Sequence, residues 1–288
     1  MQYVVTGILV GGVYALIALG IVIIYKSTRV FNFAIGQMMV VGAFFCWSLM
    51  KWAGLPAWAG FVVAWPLSYL MGLLVERLVM RPLIGQPLIG AMMACLSLSV
   101  LLHGLVILIW SAYVTSFPTP IFPKKALTFG NVAVSGGLLG AFAIAIVAFC
   151  VFTLFFQRTK TGLTMRGTAE DHELAQSTGI RVTSVFALTW GIAGILCCLS
   201  GVVIADRLAL GVTETSAIAF KVFPAILLGG LDSIPGVLVG GLVVGLTESL
   251  TAGFIDPVYA QVTPYIILLI VLLIRPEGLW GLKRIERI

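Results

Sequence analysis

The chain holds two histidines and eleven carboxylates, and they crowd together once, at Glu170-Asp171-His172-Glu173. Elsewhere His103, Asp232 and Glu248 each stand alone in apolar sequence. Metal or nucleophilic catalysis needs His, Asp, Glu or Cys converging at ligand or nucleophile spacing. Two histidines, far apart in sequence and in expected depth, do not supply that. The five cysteines (Cys46, Cys95, Cys150, Cys197, Cys198) lie in apolar segments and read as small buried residues; they form neither a metal pattern nor a disulfide framework. No G-x-x-x-x-G-K-[ST] run occurs, so a nucleotide would have to be bound by another chain. Isolated ionisable groups inside apolar sequence suit a different chemistry, the handling of an ion or a solute within a bilayer.

The elements that must carry these groups follow from composition. The sequence is 60% hydrophobic and 10% charged, with a mean hydropathy of +1.13. A soluble domain carries roughly 25% charged residues. Apolar windows of about 20 residues recur, the length needed to cross ~30 Å of hydrocarbon as helix, and strand alternation of the barrel type is absent. The expectation is an all-α, polytopic membrane protein over residues 1–288, forming a single transmembrane domain. Spans are expected near 2–25, 30–50, 56–75, 88–110, 131–156, 183–205 and 260–274, with a broken or re-entrant region at 217–252. That makes about eight to nine crossings. The first segment is read as a span and not a signal peptide, because its basic residues Lys26 and Arg29 follow the apolar run.

Charge sets the orientation. With residues 158–181 on the cytoplasmic side, alternation puts twelve Lys and Arg inside and five outside, as the positive-inside rule favours. The N-terminus is then outside and the C-terminus cytoplasmic. The net charge of +6 follows from this bias and implies no nucleic acid. The short basic tail Gly281–Ile288 is expected at the lipid headgroups. The loop 111–130 contains Pro118, Pro120 and Pro123, which forbid a continuous helix; it is either a plain connector or a contact for an external partner.

Polarity enters the apolar pattern twice. At the first place, Asn32, Phe33, Gly36 and Gln37 open the second span. An unpaired amide in hydrocarbon costs about 2–7 kcal/mol, so Asn32 must face protein, either as a helix cap and interhelix hydrogen-bonding group or as part of a translocation path. At the second, Gly229, Gly230, Asp232, Ser233 and Pro235 interrupt an apolar run. Asp232 and Ser233 are N-cap candidates and Pro235 fits a first helical turn, so two short helices joined by a tight turn are expected. Broken helices at membrane depth mark substrate routes in transporters. Glu248 reads as an interfacial acid or a polar group in the path, and His103 as a hydrogen-bonded structural residue in preference to a proton carrier. Gly7, Gly11, Gly12, Gly191, Gly194, Gly236, Gly240, Gly241 and Gly245 read as small-residue faces for close helix packing.

The crowded polar segment, 158–181, reads as a short helix over Thr168–Thr178, capped by Thr168 and stopped by Gly179. It is either a solvated loop helix or a docking surface for a soluble partner.

These segments resemble, in order, those of the branched-chain amino acid ABC-transporter permeases. The matching stretches are GGVYALIALGIVIIYKSTRVFNFAIGQ, ERLVMRPLIG, TKTGLTMRGTAEDHELAQSTGI, AFKVFPAILLGGLDSIPGVLVGGLVVGLTESL and RPEGLWG, and they cover nearly the whole chain. The resemblance implies a permease subunit of a bacterial inner-membrane importer. It implies a homologous second permease, two P-loop ATPase subunits that bind ATP and Mg, and an external solute-binding protein as partners. It also implies that Arg166, Glu170, Asp171, Glu173, Ala175 and Gly179 meet the ATPases. The chain departs from the family where a histidine and an acid are usual: Ile35 and Gln37 stand there. The family also includes importers of urea, short amides and small or aromatic carboxylates, so the solute stays open. The competing class is an ion-coupled secondary transporter, for which Asp232, Glu248 and His103 are the available groups.

Overall fold

The computed structural model describes residues 1–123, 125–129, 132–170 and 172–281. Its helices are α1 (Gln2–Thr28), α2 (Ile35–Lys51), α3 (Ala57–Val75), α4 (Leu88–Trp110), α5 (Gly136–Arg158), α6 (Lys160–Glu170), α7 (His172–Ser177), α8 (Val182–Leu208), α9 (Val212–Lys221), α10 (Phe223–Gly229), α11 (Ile234–Phe254), α12 (Pro257–Ala260) and α13 (Thr263–Ile274). A π-helical turn, Glu76–Met80, and a 3₁₀ turn, Arg81–Leu83, prolong α3. Among the described residues seven helical segments are long and apolar enough to cross a membrane, counting α9 and α10 as one, and α2 and α13 are shorter apolar helices. The protein is a multi-pass helical membrane protein.

α1 and α8 are almost wholly covered by protein, whereas α4 and α5 present most of their surface outward. Lipid gives no hydrophobic reason for helices to associate, so close backbone approach carries the packing. α1 lies along α11 through facing glycines. A Cβ on Gly11 would stand 2.7 Å from the Gly241 carbonyl oxygen, and one on Gly245 would run into the Gly11 backbone. α3 and α8 meet the same way at Gly72 and Gly194, and α2 and α8 at Gly42 and Gly201.

The two ends of the bundle differ. One end, here the basic end, holds Lys26, Arg29, Arg81, Arg158 and Arg166 together with α6 and α7. The opposite end holds the loop 111–135, and part of that loop is a two-stranded antiparallel hairpin, β1 (Ala126–Phe129) with β2 (Val132–Ser135). It is tied down by Gln2, which donates to the Ala133 carbonyl at 2.6 Å and accepts from its amide at 2.9 Å. Loop residues Thr115 and Ile121 bond to Leu210 and Asp206 at the end of α8. Trp52 stacks on Trp110 at 6.4 Å between centroids, a placement suited to a membrane–water boundary.

Three expectations shift. The second and fifth spans begin about five residues late, at Ile35 and Gly136, because Asn32 and the β2 strand claim the preceding backbone. The polar segment does not start its helix at Thr168. α6 starts at Lys160, because the Thr159 hydroxyl accepts the Gly162 amide at 3.0 Å, an N-cap worth about 1 kcal/mol. Buried Met165, Thr168 and Ala169 then hold it as helix despite Gly162 and Gly167, and the Thr168 hydroxyl donates back to the Thr164 carbonyl.

Candidate functional site

α1 stops at Arg29, whose left-handed backbone (φ 58) closes the helix with its amide donating to the Tyr25 carbonyl at 2.8 Å. The chain then crosses to α2 through Asn32, which is fully buried. Its side-chain oxygen accepts the Ala34 amide at 2.9 Å, and its NH₂ reaches the Met38 sulfur at 3.4 Å. The amide is therefore spent on turning the chain. Phe31 and Phe33, on either side of it, point toward Phe223 with centroids 5.3 and 6.1 Å away. Gly36 is the close-approach point of α2: a Cβ there would stand 2.8 Å from the Ser216 carbonyl oxygen of α9. Gln37 is buried, and its NH₂ lies 3.2 Å from Nδ1 of His103 on α4.

The second interruption has two parts. Pro224 has no amide to donate back, so α9 ends at Lys221 and α10 begins at Phe223. The Phe220 carbonyl left over is taken by the Tyr265 hydroxyl at 3.3 Å. α10 then ends at Gly230, whose φ of 96° suits glycine. Ser233 caps α11 by accepting the Gly236 amide at 3.0 Å, and Pro235 sits in the first turn. Gly229 and Gly236 pack backbone to backbone across this turn. The RPEGLWG segment straps it from below: the amides of Leu279 and Trp280 donate to the carbonyls of Leu228 and Gly229 at 2.9 and 3.2 Å. α9–α10 and α11 are thus two antiparallel passes, with residues 230–233 as the turn at the basic end.

The two interruptions, about 190 residues apart in sequence, meet. Between them lies an aromatic cavity of about 410 Å³, lined among others by Phe31, Phe33, Phe223, Leu231 and Met92. Beside it Arg29 ties three elements together. Its guanidinium pairs with Asp232 of the α10–α11 turn, and its Nε donates to the Ala169 carbonyl of α6 at 3.0 Å. Lys26 adds a bond to the Asp232 carbonyl at 2.9 Å.

The α6–α7 segment rests on this corner. Arg166 and Lys26 lie over the Phe156 ring, 5.7 and 5.1 Å from its centroid. Ala175 is buried with Val182 and Phe186, and Ile84 from the ERLVMRPLIG stretch packs against them. In that stretch Arg81 holds the buried Glu76 through two bonds, of 3.1 and 3.0 Å. Gly179 (φ 86) ends the segment, with the Ile180 amide donating to the Ala175 carbonyl at 3.1 Å. Leu163 and Leu174 are exposed on its outer side. Asp171 and the side chains of Glu170 and Glu173 lie outside the described residues, as do residues 282–288 of the basic tail.

The remaining ionisable candidates do not gather in one place. Glu248 accepts from the Tyr14 hydroxyl at 2.6 Å and faces Lys221 at 3.5 Å, His103 faces Gln37, and Asp232 faces Arg29. Among the described residues no three His, Cys, Asp or Glu side chains are grouped to hold a metal ion. Sequence reasoning used Lys26 and Arg29 only as topology markers, and it missed Lys221, Tyr14 and Phe223 as members of these clusters. Their one signal was position, since each lies beside an interruption or faces one from a neighbouring helix.

A family model described as branched-chain amino acid transport system / permease component matches residues 3–272. The high-affinity branched-chain amino acid transport system permease protein BraD of Pseudomonas aeruginosa is 30% identical over all of this chain and 98% of its own length. The corresponding LivH protein of Escherichia coli is 27% identical over all of this chain and 97% of its own. A probable LivH of Methanocaldococcus jannaschii is 29% identical over 98% of this chain and 93% of its own. With matches that run from end to end and a site built from the very segments that carry the likeness, the chain belongs to the family of branched-chain amino acid transport system permease components.

Proposed function

We propose that this chain is the permease subunit of an ATP-driven importer, moving a small hydrophobic solute across the bacterial inner membrane. The solute is a branched-chain amino acid or a related amide or small carboxylate. ATP and Mg are bound by two separate P-loop ATPase subunits. A homologous second permease and an external solute-binding protein complete the complex. The basic end faces the cytoplasm, which puts α6 and α7 where a soluble ATPase can reach them.

The observation that carries this reading is the Arg29 junction. One guanidinium bonds both to α6, the segment that would receive the ATPase, and to the α10–α11 turn beside the aromatic cavity. A push on α6 is therefore delivered to both interruptions by a charge-assisted contact, with no flexible linker between. The exposed Leu163 and Leu174 supply apolar area for the docked subunit, and Glu170, Asp171 and Glu173 are the polar contacts the resemblance assigns to it.

The test is a mild-detergent pull-down of the tagged chain from its native membrane, with partners identified by mass spectrometry. Two P-loop ATPases and a second permease are expected, and Glu170→Lys with Glu173→Lys should remove the ATPases while leaving membrane insertion intact. Recovery of the ATPases with the double variant at the wild-type level would refute the docking role. A wild-type chain recovered alone would refute the importer and favour ion coupling.

A further inference from the structure

At the α9–α10 break the chain separates two hollows. Phe223 faces the aromatic cavity at the basic end. Two residues earlier, Lys221 faces a second recess of about 360 Å³, bounded by α1, α8, α9, α11 and α12. Tyr14, Arg207 and Glu248 face it too, and Val13, Ile204 and Ile218 supply apolar wall. Lys221 lies near the middle of the 212–229 pass, a depth where an ionisable side chain is expensive and by default functional.

The charges in this recess do not balance. Glu248 has both oxygens engaged, one with the Tyr14 hydroxyl at 2.6 Å and one with Lys221 at 3.5 Å. As a unit the Glu248–Lys221 pair is neutral. Arg207 makes no hydrogen bond or ion pair with any described residue. The acid next to it in sequence, Asp206, is committed to the loop, accepting the Ile121 amide at 2.9 Å. One guanidinium, exposed at the end of α8, thus has no counter-ion among the described residues, at the rim of a hollow whose walls are part apolar and part polar. Guanidinium takes a carboxylate through two parallel bonds, and pockets of this size hold small ligands with a few polar groups fixing orientation.

We propose that this recess binds the carboxylate of a small apolar solute, with Arg207 as its anchor and the Tyr14–Glu248–Lys221 chain as the fixed polar floor. The proposal deepens the importer reading and rests on it for the solute's being transported. The recess and the aromatic cavity are then successive stations on either side of the α9–α10 break, the first reading the carboxylate and the second the apolar tail.

The experiment uses the purified full chain in lipid nanodiscs and radiolabelled 4-methylpentanoate, an apolar monocarboxylate, with isopentylamine as a competitor of similar tail and no carboxylate. Saturable binding is expected. Arg207→Gln should weaken it at least tenfold, Arg207→Lys, which keeps the charge but loses the two-pronged fork, should fall between wild type and Arg207→Gln, and isopentylamine should not compete. Thermal melting of each variant verifies its fold. Wild-type affinity in Arg207→Gln overturns the proposal, as does equal competition by isopentylamine or no binding by a folded wild-type chain. If Arg207→Gln instead strips a co-purifying anionic phospholipid and leaves probe binding unchanged, the arginine belongs to lipid phosphate and the proposal falls. Co-purification of the ATPases is scored separately, so failure of the recess leaves the importer reading standing, and the reverse also holds.

Discussion

Arg29 and Arg207 are the same side chain in opposite circumstances. Arg29 is fully committed: its guanidinium pairs with Asp232 and donates to Ala169, and its own backbone is fixed in the left-handed region. Arg207 ends a helix near the loop-bearing face and has no described partner, beside a recess whose lining carboxylate, Glu248, is already engaged. A cation with two protein acceptors holds parts of a protein together. An exposed cation with no described protein partner is left to solvent and to whatever enters the recess beside it. The contrast separates the corner we propose as mechanical from the recess we propose as chemical, by partner accounting between two residues of the same type.

Four substitutions press on that contrast, in falling order of effect. Asp232→Lys should be the most severe, because it sets a third cation against Lys26 and Arg29. A loss of about 3 kcal/mol or more is expected, read as a collapse of the thermal melt together with loss of uptake in vesicles; unchanged uptake would mean the corner transmits nothing. Arg29→Lys keeps a charge for Asp232 but loses the fork that also holds Ala169. It should cost about 1–2 kcal/mol and lower solute-stimulated ATP hydrolysis roughly tenfold by that energy, while solute affinity stays the same. If affinity moves and stimulation does not, the roles of the two regions are exchanged. Ser233→Ala removes the α11 cap and should cost about 1 kcal/mol with solute preference unaltered, checked by melting and by competition uptake. Gln37→Leu deprives His103 of its neighbour, and about 0.5–1 kcal/mol is expected. A larger loss, or a new pH dependence of uptake, would add a third charged station to the two compared here.

Much of this architecture is legible in the residue string. Runs of apolar residues mark the spans, Gly179 and Gly230 mark stops, and Ser233 before Pro235 announces the start of α11. What escaped is whatever depends on residues far apart. Thr159 beat Thr168 as the α6 cap because Met165 and Ala169 turned out to be buried, and burial of a polar segment is decided by neighbours such as Phe156 and Ile84. Asn32 shows the reverse: the amide can be seen to need partners, but only the fold shows that Ala34 and Met38 satisfy them locally. The Tyr14–Glu248 bond joins residues 234 apart in sequence, and no spacing rule reaches that distance.

The glycine seam between α1 and α11 has a consequence for biogenesis. α1 leaves the ribosome well before α11, and the glycine face that receives it is not made until about 230 residues later. At synthesis rates of roughly 5–20 residues per second, α1 waits on the order of 10–50 s before its partner exists. During that interval its small-residue face must be held by lipid or by the insertion machinery. A substitution at Gly11 or Gly245 therefore acts on assembly in the living cell first, and shows itself as rapid turnover of the newly made chain before any defect in transport is measurable.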